Sequence, residues 1–333
     1  MVSGFNTSPL ERSKIASGED KLMVIEVKLL FILLSFFSIF TLCQLQAQIP
    51  TNGLIKDYKF TNGSITSDVT PSLQAGTTTL VPTGTARTII SDRNAEASKA
   101  ISLNGDFFIA GGTNAASVNN FSISFWVKTT TNESPKRYIL DQHNTASNPA
   151  GFSATLKDGR IYFEGQFSWN FLPSNGGSNN SGVQQVVSPL INDGQWHHVV
   201  CSVSSTSSAV LAGSLIQYTL TYTYTMYIDS VLVGSDAETN YAAGLASENY
   251  SVRAITPTKQ LVIGKCPYMT NLDYQEAIDQ IRYYERTLSL SEIDILYNED
   301  KPRVPIYVNI NATGANDGTS WTDAYTSLDA AIT

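Results

Sequence analysis

Residues 192–200 read Asn192-Asp193-Gly194-Gln195-Trp196-His197-His198-Val199-Val200. Asn, Asp and Gly are turn formers, and the run 196–203 that follows them is rich in aromatic and β-branched residues, which favour a pleated strand. The same grammar repeats outward in both directions. Upstream, Phe121, Ile123, Phe125 and Val127 alternate with Ser122, Ser124, Trp126 and Lys128, a period of two. Downstream, Tyr218, Leu220, Tyr222, Tyr224, Met226 and Ile228 share one face of a strand, and Thr219, Thr221, Thr223 and Thr225 occupy the other. Asp158-Gly159 predicts a tight hairpin between residues 152–156 and 160–163, and Asp229-Ser230 separates residues 225–228 from 231–233. Many short strands with regular turns, from Leu54 to Tyr284, predict an all-β sandwich or jelly roll whose two sheets bury their inner faces.

One helix interrupts this pattern. Ser289-Leu290-Ser291-Glu292 is a capping box, with Ser289 serving the Glu292 amide and Glu292 reaching back. Leu288 and Ile293 are placed to staple its start, and Ile293, Leu296 and Tyr297 fall on one face. The helix is expected to pack on the sandwich and close the domain near Asn298. Residues 172–182 (LPSNGGSNNSG) and 235–252 read as loops, and residues 301–305 (KPRVP) as a linker.

Composition narrows the functional classes. Of 333 residues 15% are charged, below the usual share of about 25%, and the formal net charge is −8. Without a Lys/Arg cluster this excludes a nucleic-acid partner, which needs a basic patch. Leu29 to Leu42 is the one long apolar run, shorter than the ~20 residues a membrane span needs. Lys21 and Lys28 precede it, and Ala47 ends Leu45-Gln46-Ala47 after it, the layout of a secretory signal cut after Ala47. Met23 is then the expected start. Leu42 before Cys43 is too large for a lipidation site. The expectation is a secreted or cell-surface protein with no membrane segment after signal removal. Cys201 and Cys266 remain, and two small buried residues are favoured over a bridge in a domain with this much core.

These segments resemble the LamG-like jelly rolls of the concanavalin A-like class. Gly53 to Phe60 is similar to their opening strand, Asn192 to Val200 to their most recognisable strand, and Tyr227 to Gly234 to the hairpin that follows, with Ser230 where Gly is usual. Leu261 to Gly264 and Ile278 to Tyr284 are similar to the closing strands, and Leu288 to Asn298 to the terminal helix. The resemblance spans Leu54 to Asn298 and implies a sandwich of two antiparallel sheets with one short C-terminal helix. From Ile306, the run Ile306-Tyr307-Val308-Asn309 and Thr313 to Trp321 resembles the opening of right-handed parallel β-helix domains. The domain reading is therefore residues 1–47 as extension and signal, 48–300 as jelly roll, and 301–333 as linker and start of a β-helix region.

The chemistry to be weighed is sparse. Related sandwiches carry glycosidases whose Glu-x-Asp-x-(x)-Glu places paired carboxylates on one strand face. Glu292-Ile293-Asp294 lacks the second Glu and lies in the capped helix, so no catalytic residue is expected. His197 and His198 are adjacent on a strand and point to opposite faces, so they cannot share a metal. Asp279 has the parity of Ile281 and Tyr283, expected to look inward. A buried carboxylate must be paired, hydrogen-bonded or metal-bound. The resemblance suggests a structural Ca²⁺ on Asp279 and Asp68, although residues 67–72 depart from the family's Asp- and Gly-rich segment there. The competing reading is backbone amides or an arginine such as Arg87 or Arg93. Phe167, Trp169 and Phe171 alternate before the Gly/Asn/Ser stretch and would project to one side of an extended segment, as a sugar-stacking platform or as core. The functional expectation is an exported, non-catalytic module binding a glycan or a surface protein. The alternative is a spacer, or an accessory domain of a larger β-helix enzyme or adhesin.

Overall fold

The computed structural model describes residues 48–65, 80–110, 120–143, 151–166, 168–172, 178–180, 183–213, 215–245, 251–255, 260–269, 272–301 and 306–331. Residues 1–47, which include the expected signal and Cys43, lie outside them, as do Asp68 and Phe167. In chain order the first six strands are β1 (Leu54–Tyr58), β2 (Leu80–Thr83), β3 (Thr88–Ile90), β4 (Ala100–Ser102), β5 (Phe107–Ala110) and β6 (Phe121–Lys128). Then come β7 (Arg137–Asp141), β8 (Gly151–Lys157), β9 (Arg160–Gln166), β10 (Ser168–Leu172), β11 (Ser178–Asn180) and β12 (Gln184–Leu190). The last six are β13 (Trp196–Ala212), β14 (Leu215–Ile228), β15 (Val231–Leu245), β16 (Ser251–Ile255), β17 (Val262–Ile263) and β18 (Ala277–Tyr284). Helix α1 (Leu290–Tyr297) follows, with a single turn, α2 (Leu328–Ala331), near the end of the described chain.

The strands form the expected sandwich. An eight-stranded sheet runs β15-β14-β13-β6-β18-β4-β3, with β1 also on β18, and a seven-stranded sheet runs β12-β9-β8-β7-β17-β5-β2. A third small sheet, β11-β10-β16, lies apart from both in pairing. All pairings between named strands are antiparallel. The inward residues read from the alternation fill the core. Phe121, Ile123, Phe125 and Val127 of β6 meet Phe152, Ala154, Ile161 and Phe163 of the other sheet, and Tyr222, Tyr224 and Met226 of β14 extend the same cluster. Cys201 and Cys266 are buried and free, as favoured from the sequence.

The hairpins follow from local chemistry. Asp158 and Gly159 both take positive φ, 50° and 70°, the geometry of the two-residue turn that matches strand twist. Asp229 and Ser230 do the same at 52° and 69° without a glycine. The Asp229 side chain holds its turn in place by accepting from the His198 amide at 2.8 Å.

Helix α1 covers the outer face of the larger sheet. Ser289 caps it, and both halves of the capping box are formed. Leu288, Ile293 and Leu296 bury against Leu54, Val200 and Tyr284. This explains why β6 is buried on both faces except at Lys128.

Three expectations change. Residues 235–245, read as loop, belong to β15, which pairs with β14 from end to end. As an edge strand it needs no apolar alternation on its open side, so the pattern was hidden. Residues 172–182, also read as loop, hold the end of β10 and all of β11. Asp279 does not share a face with Ile281 and Tyr283. The register of β18 on β6 slips between Asp279 and Arg282, where Gln280 takes φ 46°. This bulge adds one residue, so Ile278, Ile281 and Tyr283 point to the core while Asp279 and Arg282 point to the helix-covered face.

Candidate functional site

The helix-covered face of the larger sheet holds a buried polar cluster. Trp126 on β6 and Asp279 on β18 are register partners there. The Trp126 ring stacks on Tyr297 of α1, with centroids 5.8 Å apart, and lies 5.0 Å from the His198 ring. Arg93, in the loop after β3, lays its guanidinium 4.4 Å above the same indole. Arg93 Nη1 is 3.6 Å from Asp279 Oδ2, and Nη2 donates to the Glu299 carbonyl at 2.8 Å. Beside them Arg282 donates from Nε to Asp57 at 2.9 Å and grips Glu299 with both terminal nitrogens. Asn94 donates to the Asp300 carbonyl and Gln280 to its carboxylate. The residues just after α1 are thus tied to strands and loops far away in sequence.

Burial sets the protonation states here. It pushes the Asp279 carboxyl up, while Arg93 and the Gln280 amide pull it back toward the carboxylate of the ion pair. It pushes His198 down to about 3, helped by the charges of Arg282, Arg93 and Lys301. A neutral His198 meets Ser124 Oγ through Nε2 at 2.8 Å. His197 faces the other way, as the strand parity requires. Its Nδ1 lies 2.7 Å from Asp229 and its Nε2 3.1 Å from Asp193, and the Asp229 hydrogen bond leads the rise in its pKa. Carboxylates at both nitrogens favour the doubly protonated ring and hold it in place. His143 pairs with Asp141 instead.

The near-match to a glycosidase motif is a helix cap. Glu292 accepts from the Ser289 amide and from both terminal nitrogens of Arg286. The Arg286 hydrogen bond leads in pulling its carboxyl down to about 2, far from the raised value a general acid needs. Asp294 faces Ser230 and Asn298 on the helix surface.

Of the sequence candidates, Trp169 and Phe171 lie on β10, which pairs with β16 from Ser168 to Leu172. Phe167 is outside the described residues, as is Asp68. The described residues around Asp279 do not fit a calcium ion. The carboxylate already faces a guanidinium, its Oδ1 accepts from the Gln280 amide, and no group of three His, Cys, Asp or Glu comes together among the described residues. Sequence reading named Arg93 as one alternative partner for Asp279 but missed Arg282, Asp57 and Glu299. An arginine three residues after Asp279 in the same strand, Ala277–Tyr284, was the available signal.

A two-sheet sandwich with an outer capped helix and this closing strand is a concanavalin A-like architecture. Residues 104–294 match the family Laminin_G_3, described as the concanavalin A-like lectin/glucanases superfamily, and the chain belongs to it. No curated protein matches the chain. Among solved structures it is similar to the binding domain of Paraclostridial Mosquitocidal Protein 1, at 16% identity and a TM-score of 0.47, over 77% of this chain and 54% of that one. It is similar to the ligand binding domain of botulinum neurotoxin serotype D in complex with N-acetylneuraminic acid, at 14% identity and a TM-score of 0.45, over 77% and 53%. It is also similar to domain 4 of AbnA, an extracellular arabinanase from Geobacillus stearothermophilus, in complex with arabinotriose, at 17% identity and a TM-score of 0.42, over 73% and 98%. The chain spans about half the length of the first two. No helix among the described residues is long and apolar enough to cross a membrane.

Proposed function

We infer that this chain is an exported, non-catalytic binding module whose ligand is a glycan. The observation that carries the reading is membership of a superfamily of lectins and glucanases in a chain whose Glu292 is spent on a helix cap. Glycan binding needs flat apolar faces and hydroxyl or amide partners, not a proton donor of tuned pKa. Trp169 and Phe171 on β10, with Phe167 beside them in sequence, are the residues assigned to ring stacking, and the Asn- and Ser-rich stretch that follows β10 in sequence is assigned the polar groups. The apolar run and Ala47 favour export.

The test is binding of the full chain to a panel of immobilised plant and bacterial polysaccharides, with the same panel assayed for released reducing ends. Binding that is weakened about tenfold or more by Trp169→Ala, with no sugar released, supports the reading. Base–aromatic stacking, a related contact, is worth ~1–3 kcal/mol. Turnover that disappears in Glu292→Gln would sink it.

A second reading, a module that positions an adjoining β-helix region, has its own observation. Val308 and Tyr325 form a parallel bridge, the pairing that successive coils of a solenoid need. The tie between Arg93, Arg282 and residues 299–300 favours a fixed exit from the sandwich.

A further inference from the structure

A carboxylate buried to 1% exposure on a sheet face must be paired, hydrogen-bonded or metal-bound. At Asp279 the resemblance implies calcium, and the residues around it do not fit one. Arg93 stands there instead, its side chain 5% exposed. Its guanidinium touches three oxygens from the end of the fold. Asp279 Oδ2 lies 3.6 Å away, the Glu299 carbonyl 2.8 Å and Asp300 Oδ2 3.7 Å. Those contacts join β18 to the segment that leaves α1, the cross-link a divalent ion would make.

The two cations differ in what they demand. Calcium takes six to eight oxygens, and a hydrated hard ion has no use for an aromatic face. A guanidinium is planar, weakly hydrated and able to stack on indole, which offsets part of its burial. Trp126 supplies that indole at 4.4 Å. Nε and Nη1 of Arg93 make no hydrogen bond, so stacking and charge, rather than a full donor set, hold the group. A cleft of about 90 Å³ adjoins the pair, lined in part by Asp92, Glu96, Asp279 and Asp300 but also by Lys59 and Lys99. An entering divalent ion would meet these ammonium groups as well as Arg93.

We propose that Arg93 takes the place of a structural calcium ion in this chain, so that the last strand and the exit of the sandwich are held by a built-in cation and the module folds without metal. The experiment is thermal melting of the full chain, in calcium and in chelator, for the wild type, Arg93→Ala and Asp279→Asn. The wild-type midpoint is expected to be the same in both conditions. Arg93→Ala should melt about 10 °C lower in chelator, because a buried carboxylate loses its partner. A wild-type midpoint that falls on chelation and stops doing so in Asp279→Asn overturns the proposal. So does an Arg93→Ala variant that melts like the wild type in chelator. Where Arg93→Ala does not fold, calcium titration of the wild type by calorimetry decides. Absence of binding heat supports the proposal, and a stoichiometric site lost in Asp279→Asn overturns it.

Discussion

His198 Nε2 meets Ser124 Oγ at 2.8 Å on the helix-covered face of the larger sheet, one strand away from the buried Arg282–Asp57 pair. The ring is fully enclosed and its proton affinity is pushed down to about 3. The unfolded chain protonates histidine near 6.5. Between those values the unfolded state binds more protons, so this residue's contribution is fully present above about pH 6.5 and is lost as pH falls toward 3. Its size over the whole window is on the order of 4–5 kcal/mol. Urea unfolding at pH 7, 5.5 and 4 should show a stability loss in the wild type that is smaller in His198→Gln. Parallel pH profiles for the two proteins would refute the assignment.

Among the described residues Arg282 is the largest fully buried side chain, and it serves Asp57 through Nε and Glu299 through both terminal nitrogens. Lysine cannot reproduce that fork, and alanine takes the guanidinium from Glu299 and leaves Asp57 with Lys59 at 3.7 Å. Arg282→Ala should cost about 3–5 kcal/mol, and Arg282→Lys should recover only part of it. Denaturant midpoints measured at constant m-value check this. A loss under about 1 kcal/mol in Arg282→Ala would mean that the cluster is not structural.

Ser230 holds φ at 69° where a glycine would be free of strain. Ser230→Gly should therefore stabilise the domain by about 0.5–1 kcal/mol, less whatever its exposed 3.2 Å bond to Asp294 contributes. The reverse change at the matching hairpin, Gly159→Ser, should destabilise by more. A Cβ at Gly159 would sit 2.6 Å from the Asn192 side chain in addition to the φ of 70°. Melting both variants beside the wild type tests the pair, and equal shifts of the same sign would contradict the argument.

Features that depend on a few neighbouring residues are legible in the chain before it folds. Alternation with period two placed Phe121 to Val127 and Tyr222 to Met226 in the core, because a strand's side chains can only point to two faces. Asp158-Gly159, Asp229-Ser230 and the Ser289–Glu292 box placed hairpins and a helix start, because each needs only its own few residues. The sequence also showed that His197 and His198 part company, for the same reason of parity.

Tertiary structure decided the rest. One bulged residue, Gln280, turned Asp279 away from the core, and no local pattern announces a register slip set by the neighbouring strand. β15 formed along residues read as loop because β14 offers it a full ladder, not because its own residues alternate. The cluster of Arg93, Trp126, Asp279, Arg282 and Glu299 draws on a loop, two strands and a helix exit separated by up to 206 residues. Each charge there is tolerable only because the others arrive, and that is a property of the folded packing which no single segment contains.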